Sequence, residues 1–65
     1  MKANNETPQT QTTARLWVDR VVNEYGLKIA IQLMTYNVSG KNPHFKESND
    51  FVTYAWQRFN ELNPS

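Results

Sequence analysis

The chain predicts a small all-α domain of three helices preceded by a disordered amino-terminal tail, and three observations carry that prediction. Apolar residues recur at three- and four-residue steps over two long stretches, as one face of a helix requires. Val and Ile follow the same helical spacing, and no alternating run is bounded by a two-residue hairpin turn, so strand signals are weak. At 65 residues there is room for one domain only.

Residues 1–12 are rich in Asn, Gln and Thr, include Pro8 and offer almost nothing apolar. Ordering them costs backbone entropy with little burial in return, so they are expected to form a flexible tail ahead of a helical domain spanning 13–65. From Thr13 the pattern changes. Leu16, Trp17, Val18, Val21, Val22 and Tyr25 alternate with Arg15, Asp19, Arg20, Asn23 and Glu24, which predicts an amphipathic helix over 13–25. Thr12 or Thr13 is suited to cap it, because a threonine oxygen can accept an amide proton of the first turn.

Gly26 admits two readings. Positions 18, 22, 25, 29, 33 and 36 are all apolar and share one stripe, so a single long helix can run through the glycine at a cost of ~1 kcal/mol relative to alanine. Glu24 and Lys28 would then form an i,i+4 pair. Against this, Leu27, Ala30, Ile31 and Met34 make a second apolar face, and glycine commonly stands just beyond a helix end. That favours a second helix over 27–38, or a bend at Gly26. A helix apolar on two faces should be central in the domain.

Asn37 to Pro43 holds Ser, Gly, Asn and Pro in succession and marks a reversal of the chain. The last helix is placed at 46–62, with Asn42-Pro43 or Ser48-Asn49 as alternative starts. Phe51, Val52, Ala55, Trp56, Phe59 and Leu62 form its apolar stripe, and Asn63-Pro64 stops it.

Composition narrows the function classes. Cysteine is absent, so neither a disulfide nor a thiolate metal site supports this small core. The net charge is +1, which sets up no strong field for nucleic acid or anionic lipid. No apolar run approaches the ~18 residues of a membrane span, and the first residues are polar where a signal peptide is apolar, so a soluble, cytoplasmic protein with no membrane association is expected.

Catalytic signals are sparse. His44 is the single histidine; Glu47 and Asp50 stand near it, but the spacing matches no zinc or EF-hand pattern, and the two carboxylates suit the positive end of the last helix. Ser39, Ser48 and Ser65 occupy turn, cap or terminal positions, and two glycines cannot build a phosphate loop. Asn37-Val38-Ser39 formally matches a glycosylation acceptor, without a secretory signal to give it weight. No catalytic residue, metal or cofactor is implied.

Nucleic-acid binding is a second class to weigh, because three small helices also make a helix-turn-helix module and Arg15, Arg20, Lys28, Lys41, Lys46 and Arg58 could reach phosphates. The loop before the last helix is longer than that motif's turn, and the last helix lacks a basic cluster. Aromatic density is the stronger feature: two Trp, three Tyr and three Phe exceed what so small a core encloses. Tyr54, Trp56 and Trp17 are the rings expected to lie partly exposed, and Tyr54, Trp56 and Arg58, joined by Trp17, form the expected contact patch, since binding hot spots favour Trp, Tyr and Arg. The expected role is therefore interaction with another protein, as adaptor, inhibitor or regulator, an economy typical of small phage- and plasmid-encoded proteins. A homodimer is expected from the shared use of surplus aromatics. A helical DNA-binding regulator and a homo-oligomer that sequesters a small ligand are the alternatives.

Overall fold

Three helices form where the apolar spacing places them. The computed structural model describes residues 8–64 and contains α1 (Pro8–Tyr25), α2 (Leu27–Val38) and α3 (Asn49–Leu62), with no strand among the described residues. The expected three-helix all-α class is the observed one.

The helix α1 begins five residues before the expected start, which corrects the tail boundary for residues 8–12; residues 1–7 of the expected tail lie outside the described residues. Proline is well suited to the first helical position, where its missing N–H is no loss. Once the downstream turns are packed, adding polar residues in front of them gains one hydrogen bond per residue without a new nucleation cost. Thr12 and Thr13 thus lie inside the helix and do not cap it.

Gly26 decides between the two readings of the middle of the chain. Its N–H still donates to the Val22 carbonyl at 2.8 Å, and its own carbonyl accepts from Ala30 N–H at 3.0 Å, so it closes α1 and opens α2. Between those two bonds it adopts φ 94° and ψ 158°, a backbone state open essentially to glycine alone. The direction of the chain changes within one residue.

This bend chooses which face of α2 is inside. Ala30 and Met34 are buried and Leu27 and Ile31 pack against the core, while the competing stripe through Ile29 and Tyr36 is left outside. In α1 the buried positions are Ala14, Val18 and Val21, one face at i, i+4 and i+7. Leu16, assigned to the apolar stripe from sequence, lies on the far side of the helix and is 58% exposed.

Ser48 sets the start of α3, its hydroxyl oxygen accepting the Phe51 N–H at 3.1 Å, so the helix begins at Asn49 and not at 46. Asp50 occupies the first turn, favourable at the positive end of the helix dipole. Phe51, Ala55 and Phe59 are its buried stripe. Asn63 ends the helix in extended conformation, as the residue before a proline prefers. The most extensive helix contact is α1 with α3, and the slightest is α2 with α3.

Candidate functional site

The four residues nominated from sequence do not form one patch. Tyr54 and Arg58 are four residues apart on one side of α3, whereas Trp56 lies about 200° around the helix from Tyr54. Trp56 and Trp17 are both half-buried and both meet Phe59: the ring centroids are 5.4 Å apart for Trp56 and 6.5 Å for Trp17. Trp17 also packs edge-on against Phe51 at 6.0 Å. The two tryptophans therefore serve as walls of the core, with Phe59, only 2% exposed, between them.

Arg58 is engaged within the chain. Its guanidinium grips Asp19 of α1 in a two-point contact, Nε donating to Oδ1 at 2.7 Å and Nη2 to Oδ2 at 3.3 Å. Its Nη1 donates to Glu61 Oε1 at 2.9 Å. Glu61 in turn lies 3.0 Å from Arg15 Nη1, so four alternating charges tie the edge of α1 to the edge of α3. The hydrogen bonds to Asp19 and then to Glu61 raise the Arg58 pKa above its ordinary value, and those from Arg15 and Arg58 lower that of Glu61. The spacing was the available signal: Arg15 and Asp19 stand at i,i+4 and Arg58 and Glu61 at i,i+3, which gives each helix one charged edge.

What remains unoccupied is the outer face of α2. Ile29 and Tyr36 are each 48% exposed, Leu33 lies half-buried between them, and the three share one stripe at i, i+4 and i+7. Tyr25, the last residue of α1 before the bend, is also exposed. The whole helix carries a single charge, Lys28. Charge depletion around exposed aromatic and aliphatic side chains is the composition of the centre of a protein interface. The sequence offers positions 25, 29, 33 and 36 as part of the stripe of one long helix; the favoured reading, a break or bend at Gly26, is the observed one, and it leaves Ile29 and Tyr36 of that stripe outside.

The loop after α2 is held by its own polar groups. Asn37 is buried at the end of α2, and its side-chain oxygen accepts from Asn42 Nδ2 at 2.7 Å; Asn42 Oδ1 accepts the His44 N–H at 3.0 Å. The asparagine of the formal glycosylation acceptor is thus an internal tie. Tyr36 Oη donates to the Lys41 carbonyl at 3.2 Å, which draws the loop beside the exposed ring of the stripe. His44, Glu47 and Asp50 are all exposed, and among the described residues no group of three or more acidic or histidine side chains gathers as metal ligands.

No helix among the described residues is long and apolar enough to cross a membrane. Compared with protein-family models, with curated proteins and with solved structures, the chain matches none of them.

Proposed function

We propose that this chain is a protein-binding module without catalytic chemistry of its own, acting as an adaptor, inhibitor or regulator, and that it meets its partner through the outer face of α2. The observation that supports this reading most is the Ile29–Leu33–Tyr36 stripe, an apolar surface on a nearly uncharged helix. Burial of such side chains against a partner gains roughly 25 cal/mol per Å² of apolar area. The expected patch around Tyr54, Trp56 and Arg58 gives way to this face, because Trp56 leans on Phe59 and Arg58 is held by Asp19 and Glu61.

The cations bear on the nucleic-acid alternative. Of the six basic residues considered for phosphate contacts, Arg15 and Arg58 are neutralised by carboxylates, and the others are spread over α1, α2 and the loop. A protein partner is the reading that accounts for the exposed apolar surface.

Immobilised chain offered to proteins of its source cell tests this directly. A protein retained by the wild type and lost with Ile29→Glu, at unchanged helicity, supports the α2 face. A protein still retained by Ile29→Glu and lost with Tyr54→Ala moves the site to α3. In parallel, duplex DNA titrated at about 50 and 200 mM salt decides the nucleic-acid alternative: tight binding that weakens steeply between the two would replace the protein-binding reading.

A further inference from the structure

We infer that α2 is a hinged flap. It turns on Gly26 away from α1 and α3, which stay docked on each other, and in the open form α1 and α2 run as one straight helix.

Gly26 is built as a single-residue hinge. The helical hydrogen bond from its N–H to the Val22 carbonyl and the one from Ala30 N–H to its own carbonyl are both intact, at 2.8 and 3.0 Å. The change between bent and straight is therefore confined to one φ,ψ pair, from 94° and 158° to the helical region, and glycine enters both at little cost. No side chain caps the first turn of α2, so the amides of Leu27, Lys28 and Ile29 are without helical acceptors in the bent form. Straightening supplies them with the carbonyls of Asn23, Glu24 and Tyr25, and sets Glu24 and Lys28 four residues apart on one helix. The apolar stripe through 18, 22, 25, 29, 33 and 36 is the face such a helix would have.

The ties between helices spare α2. Arg58 with Asp19 and Arg15 with Glu61 join α3 to α1, and Trp17 of α1 lies against both Phe51 and Phe59 of α3. Among the described residues no side-chain hydrogen bond or ion pair joins α2 to either helix; those of Thr35, Tyr36 and Asn37 stay within α2 and the loop that follows. What holds α2 in place is the burial of Ala30 and Met34, with Leu27, Ile31 and Leu33 partly buried beside them. Its contact with α3 is the slightest of the three.

The connection to α3 has the length for this motion. Arg15 meets Glu61 and Asp19 meets Arg58, so α3 runs antiparallel to α1 and starts toward the end of α1 that carries Gly26. In the straight form the end of α2 stands about 18 Å from the hinge, the length of a 12-residue helix. Residues 39–48 reach about 33 Å when extended, so α3 need not leave α1.

The chain has no cysteine, so a single introduced thiol reports the opening. Met34→Cys on α2 and Ala55→Cys on α3, both at fully buried positions, are labelled with a thiol reagent over a series of urea concentrations below the unfolding transition. Should Met34→Cys not fold, Ala30→Cys, also fully buried, takes its place. Labelling at α2 should depend on urea less steeply than labelling of Ala55→Cys, because opening the flap exposes less surface than unfolding the chain. Adding Arg58→Ala should speed Ala55→Cys several-fold and leave the α2 thiol unchanged, since the contact of Arg58 with Asp19 survives in the open form. Adding Gly26→Ala should raise labelling of the α2 thiol by about fivefold or more, because alanine is strained only in the bent form. Equal urea slopes at the two positions, or equal acceleration of both by Arg58→Ala, would mean that α2 leaves only when the whole chain unfolds and would overturn the proposal. An α2 thiol indifferent to Gly26→Ala would overturn it as well.

Discussion

Arg58 holds Asp19 across the α1–α3 interface with two hydrogen bonds, at 2.7 and 3.3 Å, although 39 residues separate them along the chain. Bidentate geometry of this kind fixes the angle between two helices as well as their distance. The side chains of Arg58 and Asp19 are 24% and 43% exposed, so the bond is partly screened by solvent and salt. The predicted result is that Arg58→Ala leaves the chain folded at room temperature but lowers its Tm by a few degrees. The deficit should shrink in high salt. In a double-mutant cycle, Asp19→Asn should add little once Arg58 is gone; full additivity of the two losses would mean the pair contributes nothing.

Glu61 gives the fold an acid sensitivity of known sign. Its carboxyl is lowered by hydrogen bonds from Arg15 and then Arg58, so its contribution is present above the ordinary glutamate pKa of about 4.3 and is lost as pH falls through the lowered value. Arg58, being raised, loses its contribution only at alkaline pH beyond the working range. Thermal melts of wild type and Glu61→Gln should therefore converge as pH drops below about 4. Curves that stay parallel across that window would remove Glu61 from the account.

Phe59 is the residue whose loss the fold tolerates least. Enclosed between Trp17 and Trp56, it should cost about 3–5 kcal/mol when cut to alanine, which is most of the stability a domain of this size possesses. Trp56→Ala, at a half-buried position, should cost less. Urea unfolding of the two variants checks the order, and a reversal would place the centre of the core elsewhere.

Gly26→Ala tests the bend. At φ 94° an alanine is strained by about 1–3 kcal/mol, yet no side chain crowds the position, so the cost is one of backbone conformation alone. The variant should shift toward a straight helix running through residue 26. Small-angle scattering should report a radius of gyration above that of the wild type measured alongside it, with helicity undiminished. An unchanged radius and an unchanged Tm would show that the bend does not depend on glycine.

Most of the fold was legible because it is written in local spacing. The stripe of α3 at 51, 55 and 59, the break after Val38 and the stop at Asn63-Pro64 all follow from short-range rules. The start of α1 was not, since nothing in the polar residues 8–12 calls for a helix; they extend one whose stability comes from Val18 and Val21 further on. The site was less legible still. Arg58 reads as a free contact residue until Asp19 is found beside it, and the sequence offers two apolar faces on α2 without saying that the one with Ile29 and Tyr36 is the exposed one. Both facts depend on the angle between helices, which apolar periodicity leaves open.

The most direct test of the central claim, that the outer face of α2 is the interaction surface, is an amide chemical-shift map of the labelled chain with and without a protein it retains. Shifts that move on addition should cluster at Ile29, Leu33 and Tyr36 and leave Tyr54, Trp56 and Arg58 in place. Movement confined to 54–58 would contradict it.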